Sequence, residues 1–293
     1  MLKSILIFFL AAFILSGCES GQNEKNDMTY SFACLDSTVS GSELNKTLEK
    51  AGDIIRDITV NEDAITDQVQ SEYGEAFHRD AIESNTFNLL NDVKINTALT
   101  TVMNELLQVR ENPSAIVYKI YALDDANVNA FTFGGRIYVT RAMYEKCKGK
   151  TALLYAIIGH EIGHSEKGHI KKTIQDMMVA NKVFGEQNGM TAFQVIRTLT
   201  GSFNQKNELE ADYYGTDLTY NLNEDVCAAV LFWREMSEQE NQYNRMEDFF
   251  RSHPFSSLRA QCLQTHIEKN FNRNCQAGTT AMLKKWMDRR VFN

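Results

Sequence analysis

The chain has 293 residues, with 30 Lys and Arg against 38 Asp and Glu and a formal net charge of −8. That acidic balance argues against a dedicated nucleic-acid binder, which carries a basic surplus, and 43% hydrophobic with 23% charged residues excludes a disordered chain. Only Pro113 and Pro254 occur, where a chain this long averages about fifteen prolines; this favours long uninterrupted helices and leaves no proline-rich linker between separate domains.

Lys3 supplies a short positive region, and Ile5 to Leu15 are almost wholly apolar. The run from Ser4 to Gly17 falls short of the ~20 residues that span a bilayer as a helix. Residues 1–17 therefore read as a secretory signal peptide. It ends on Leu15-Ser16-Gly17-Cys18, which resembles the bacterial lipobox, whose cysteine is acylated and becomes the mature N-terminus. Cys18 is the expected lipidation site, anchoring the chain to a membrane rather than embedding it. Small polar residues over 18–45 suit a flexible tether, and 46–293 is expected to form one domain. Five cysteines follow Cys18: Cys34, Cys147, Cys227, Cys262 and Cys275. An odd number leaves at least one unpaired, and the sequence does not set the pairing. A helix over 263–274 would hold Cys262 and Cys275 roughly 20 Å apart, too far to bridge.

In chain order, residues 63–110 predict two or three helices, with Leu99, Val102, Met103, Leu106 and Leu107 at helical spacing. Asn112-Pro113 stops the last of them. Ile116 to Leu123, rich in β-branched and aromatic residues, predicts a strand. Asn129–Phe133 and Arg136–Thr140, either side of Gly134-Gly135, predict a β-hairpin. Beyond residue 141 the pattern is helical, ending in a basic tail over 266–293. The expected fold class is α+β and mainly helical, with about three strands between 116 and 140.

The sharpest feature is His160-Glu161-Ile162-Gly163-His164, which follows the apolar stretch Thr151–Gly159, with Thr151 as a candidate N-cap. On a helix, positions i and i+4 share a face, so both imidazoles can grip one metal ion. Glu161, one step round, can take a proton from water without ligating the ion. Gly159 and Gly163 cost about 1 kcal/mol each in a helix interior, so a close neighbour, a strand or a substrate, is expected there. Zinc needs a third protein ligand and an open fourth position. His169 lies at +9 from His160, one residue short of the third histidine of the metzincin pattern. Glu186 sits in a turn-like stretch without helical support. Glu208, in Asn207-Glu-Leu-Glu-Ala-Asp212, is the strongest candidate: it shares a helix face with Asp212, which can orient a ligand imidazole. Glu210 points elsewhere and reads as a solvated charge, while Ala211 and Gly215 keep that helix thin.

At this point the chain resembles the M48 metallopeptidases. The resemblance rests on His160-Glu-Ile-Gly-His164 with His169 after it, Glu208-Leu-Glu-Ala-Asp212, Asn129-Ala-Phe with Gly134-Gly135-Arg-Ile-Tyr-Val, and Ser252-His253-Pro254 followed by Arg259. These occur in family order over roughly residues 70–265. One departure is Phe133, where the family often has Pro. The resemblance implies a zincin-type domain whose small sheet packs on the H-E-x-x-H helix. It implies one zinc ion per chain on His160, His164 and Glu208, with Asp212 behind them and Glu161 as general base. His253 or Arg259 would steady the oxyanion, or His253 would fill zinc's open position and hold the enzyme latent. Substrate would add as a strand to an exposed edge, either Asn129–Phe133 or Arg136–Thr140, giving Asn129, Ala130, Phe131, Gly134 and Gly135 as substrate contacts. The expected partners are protein or peptide substrates and, through Cys18, a membrane facing the bacterial periplasm; no nucleic acid is expected, and the oligomeric state is not legible. A non-hydrolytic chaperone using the same groove, or a zinc amidase acting on cell wall, is the alternative class.

Overall fold

A computed structural model describes residues 28–35, 59–184, 203–239 and 257–275, with a few isolated positions between them that include His253. The expected signal peptide, Cys18, Glu186 and the basic stretch 284–290 lie outside the described residues. The elements are α1 (Asp67–Glu83), α2 (Val93–Gln108), β1 (Lys119–Leu123), β2 (Ala130–Phe133), β3 (Arg136–Thr140), α3 (Arg141–Cys147), α4 (Thr151–Glu166), α5 (His169–Phe184), α6 (Gln205–Asn221), α7 (Cys227–Gln239) and α8 (Ser257–Phe271). No helix of the described residues is long and apolar enough to cross a membrane.

Local chemistry sets most helix starts. Thr66, Asp92 and Thr140 each accept a hydrogen bond from a backbone N–H of the first turn of α1, α2 and α3. Asn204 and Asn207 form a reciprocal capping box at α6. Thr151 is not the cap of α4 but its first residue; Lys150 precedes it without a side-chain cap, and its carbonyl takes the N–H groups of Leu153 and Leu154.

The hairpin around Gly134-Gly135 forms as expected, and β1 joins it to give the order β1-β3-β2, β1 parallel and β2 antiparallel to β3. Arg136–Thr140 is therefore the central strand and offers no edge, which leaves β2 as the edge nearest the H-E-x-x-H helix. One sheet face carries Ala130, Ile137 and Val139 into a core shared with α2, α4, α6, α7 and α8. The other presents Phe133 and Tyr138 to Phe77 of α1 and to Ile170 and Ile174 of α5. Gly134 and Gly135 are buried under α1 and the lead into β1: a Cβ on Gly134 would stand 2.5 Å from the Gly74 backbone nitrogen, and one on Gly135 2.6 Å from the Ile116 side chain. They shape the turn, and α1 and the lead into β1 cover them.

α4 lies at the centre, buried on nearly all sides from Leu153 to Ser165. Its carboxyl end is held by Glu166, which takes hydrogen bonds from Arg110, the Ser114 hydroxyl and the Tyr118 hydroxyl; the guanidinium offsets an acidic group at the negative helix terminus. The neighbour that explains Gly159 and Gly163 is α6, not a strand or a substrate. A Cβ on Gly159 would come within 2.9 Å of the Gly215 Cα, and one on Gly163 within 2.9 Å of the Ala211 Cα.

Met28–Leu35, within the stretch expected as a tether, is docked on the domain. Tyr30 donates to Asp217 (2.7 Å), Tyr213 donates to the Ser31 carbonyl (2.6 Å), and Cys34 is bonded to Cys262 of α8. A second disulfide joins Cys227 to Cys275, and Cys147 is free and buried.

Replacing Gly215 with Ala puts a methyl 2.6 Å from the His160 backbone nitrogen. The helix-propensity gain of about 1 kcal/mol is outweighed by overpacking against backbone, so we expect a net loss of about 1–3 kcal/mol in urea denaturation; an unchanged or raised midpoint would refute this account of the α4–α6 contact.

Candidate metal centre

The tight α4–α6 contact delivers side chains from both helices to one buried point. α4 supplies His160 and His164 one turn apart, with their Nε2 atoms 3.0 Å from one another. α6 supplies Glu208, whose Oε2 lies 3.5 Å from His160 Nε2 and whose Oε1 lies 3.4 Å from His164 Nε2. His253 completes the cluster, its Nδ1 standing 3.2 Å from both His160 Nε2 and Glu208 Oε2. One ligand atom from each of these four buried residues falls within 4.8 Å of the others.

These distances fit zinc. Ligand atoms about 2.0–2.2 Å from a tetrahedral zinc ion stand about 3.3–3.6 Å from one another, close to the spacing found. The donor set, imidazole nitrogen with one carboxylate, is that of a catalytic zinc site. Glu208 Oε1 is buried and makes no hydrogen bond; an unsatisfied carboxylate oxygen costs several kcal/mol unless a cation or donor meets it. The site belongs to the zincin type and fits one zinc ion.

The surrounding charges favour a cation there. Burial alone would push the His160 imidazole down, but hydrogen bonds to Asp212 and Glu208 outweigh it and carry its pKa up to about 10. Burial holds His164 well below the ordinary histidine range. Burial opposes ionisation of Glu208, yet His253 and Arg259 hold its carboxyl well below the usual carboxylate range. The proton that His160 attracts marks where positive charge is stabilised.

Asp212 accepts from His160 Nδ1 at 2.9 Å, which turns Nε2 toward the cluster. Arg259 is fully buried, and its guanidinium contacts Asp212 at 3.0 and 3.1 Å and Glu208 at 2.9 Å while lying 4.4 Å over the Trp233 ring. Its donors are engaged by carboxylates on the far side of the ligands, so the oxyanion role expected for it does not follow from this geometry; it clamps the two acidic side chains of α6. Glu161 is buried, with Oε1 3.5 Å from His253 Nε2 and Oε2 without a hydrogen bond. Burial raises its pKa above the ordinary carboxylate value. His253 Nε2 donates to the Ala130 carbonyl at 3.0 Å, which ties the cluster to strand β2. Asn129 pairs with Thr140 across the hairpin, and Phe131 packs against Tyr138.

Two residues set aside in the sequence join the site. His169 is not a ligand; its Nδ1 lies 3.0 Å from Nδ1 of His164, and its Nε2 lies 3.1 Å from Glu210 Oε2. Glu210 is thus a partner of the site rather than a solvated charge. Phe203 stacks on His164 with ring centroids 4.2 Å apart. No local signal marks these contacts: Glu210 is 41 residues from His169, and only the tertiary fold joins them.

The model for peptidase family M48 matches residues 94–267. Among characterised proteins, the chain is 25% identical over 187 residues to the mitochondrial metalloendopeptidase OMA1 of Schizosaccharomyces pombe, covering 60% of this chain and 55% of that one. It is 29% identical over 183 residues to the metalloprotease LoiP of Escherichia coli, covering 58% and 69%. It is 24% identical over 194 residues to the beta-barrel assembly-enhancing protease of the same organism, covering 58% and 38%. The match thus spans little more than half of the first relative, about two thirds of the second and less than half of the third.

Arg259→Met in chelator-treated protein leaves two buried carboxylates without their cation, so we expect about 3–5 kcal/mol of destabilisation in urea titrations; a loss below about 1 kcal/mol would mean that the guanidinium is not their main counter-charge.

Proposed function

The chain belongs to peptidase family M48, whose members are zinc metallopeptidases, and from that premise we propose that it is a lipid-anchored zinc endopeptidase of the bacterial cell envelope that cleaves misfolded or unassembled envelope proteins. The observation that carries this reading is Glu161: a buried carboxylate with one oxygen unpartnered, beside three ligand side chains, two of them on its own helix. A bound zinc ion supplies a Lewis acid that polarises the scissile carbonyl and makes water nucleophilic at neutral pH. Glu161 takes the proton of the attacking water and returns it to the leaving amine, acting as base and then acid. Its pKa, raised by burial, suits a group that must do both.

Substrate lies along β2, which pairs only with β3 among the described residues. Strand addition reads backbone and tolerates varied sequence, as clearance of unfolded chains requires. His253 opposes this in two ways. Its Nε2–H bonds the Ala130 carbonyl on β2, and that bond leaves the Nδ1 lone pair aimed at the ligand cluster. Three protein ligands leave a catalytic zinc site open, whereas four close it. With Nδ1 placed there, His253 would be a fourth ligand to a bound ion and hold the enzyme latent, and its withdrawal would free the strand edge as well.

Placement in the envelope is supported by the apolar leader ending at Cys18, by similarity to two Escherichia coli proteases, and by disulfides Cys34–Cys262 and Cys227–Cys275, which persist in oxidising compartments.

The mature protein should contain near-stoichiometric zinc and hydrolyse unfolded casein in a chelator-sensitive way. Glu161→Gln should keep the zinc and lose about 10²–10⁴ in rate, and His253→Ala should raise the rate. Wild-type turnover by Glu161→Gln would end the peptidase reading, and chelator-sensitive cleavage of peptidoglycan without casein hydrolysis would replace it with the amidase.

A further inference from the structure

We propose that His169 and Glu210 form a positioning relay that fixes the tautomer of the metal ligand His164. The inference rests on the metal centre of the preceding reading, and not on which bond that centre cleaves.

The argument is one of donors and acceptors. Glu210 Oε2 lies 3.1 Å from His169 Nε2, and an ionised carboxylate only accepts, so His169 Nε2 carries a hydrogen. A neutral imidazole protonated at Nε2 keeps a lone pair at Nδ1, and this one faces Nδ1 of His164 at 3.0 Å. Two lone pairs at that distance repel, so His164 carries its hydrogen at Nδ1 and donates it to His169. The lone pair of His164 then sits on Nε2, the atom 3.0 Å from His160 Nε2 and 3.4 Å from Glu208 Oε1. The opposite tautomer would aim an N–H at the ion.

His160 obtains the same instruction directly, because Asp212 shares the inward face of α6 with Glu208. Glu210 lies two positions beyond Glu208, about 200° round the helix, on a flank where its side chain is 26% exposed. It cannot reach His164 itself. The chain turns at Gly168 (φ 79°) and opens α5 with His169, whose buried ring spans the gap. Phe203 stacks on His164, limiting rotation of the ring that the relay orients. Three acidic residues within five positions of α6 thus have three tasks: Glu208 ligates, Asp212 orients His160, and Glu210 orients His164 through an intermediary.

A histidine that merely filled the α4–α5 junction would be replaceable by another ring, which separates the two accounts. Zinc affinity of the mature protein is measured by competition with a chromophoric chelator, without substrate, alongside ring ¹⁵N spectra of the zinc-free protein. His169→Phe should bind zinc about 10–100-fold more weakly. His169→Asn, whose Oδ1 replaces Nδ1 as acceptor, should recover most of that loss. Glu210→Ala, a change at a partly exposed position that does not threaten folding, should weaken binding by about tenfold and give His164 a mixture of tautomers where wild type shows Nδ1–H. Wild-type affinity in both His169→Phe and Glu210→Ala overturns the relay. Equal losses in His169→Phe and His169→Asn with Glu210→Ala silent also overturn it, leaving a packing residue. A chain that shows the expected affinities yet hydrolyses no protein keeps the relay and loses the peptidase reading; one that hydrolyses casein with affinities unmoved does the reverse.

Discussion

The structure depends on how closely two helix backbones meet. Gly159 and Gly163 of α4 face Gly215 and Ala211 of α6, and a Cβ at any of the three glycines would come within 3 Å of the facing helix's backbone. This contact brings Glu208 to the two histidines. The small residues also account for an otherwise unfavourable sequence: glycine destabilises a helix interior by about 1 kcal/mol, and the residues at 159, 163 and 215 exchange that loss for proximity.

Proximity alone would bury charge at a high cost. Two carboxylates of one helix face, Glu208 and Asp212, are fully or nearly out of water, and an unpaired buried ion is strongly unfavourable. Arg259 meets both, and the Trp233 ring lies beneath its guanidinium, a surface suited to a planar cation. Arg259 therefore belongs to the electrostatic frame rather than to the reacting face. The helix that carries it is in turn fastened: Cys262, three residues on, is bonded to Cys34, and Cys275 beyond its end to Cys227 of α7. The docked segment Met28–Leu35 is thus connected by one covalent bond to the helix that balances the centre's charge.

His253 links the centre to the sheet. A single imidazole is hydrogen-bonded to the Ala130 carbonyl of β2 and lies against His160 and Glu208, so one side chain joins the buried ligand cluster to the edge strand of the sheet.

Much of this was legible without coordinates. The i, i+4 spacing of His160 and His164, the glycines at 159 and 163, the Glu208–Asp212 spacing and the paired glycines of the hairpin each follow from local periodicity, because helix and strand geometry convert sequence interval directly into a shared face. The α+β class and the helices within 63–110 follow from propensity and periodicity, whereas the cap read at Thr151 lies one residue inside α4. What only the tertiary structure decided concerns partners far apart in the chain: which strand lies in the middle of the sheet, that Gly134 and Gly135 are covered by α1, that Arg259 faces Asp212 and Glu208 instead of solvent, that Cys34 meets Cys262, and that His169 joins His164 to Glu210. Sequence interval carries no information about such pairs. Their contact is set by the order in which packed helices and strands share one core, and local residue patterns do not encode that order.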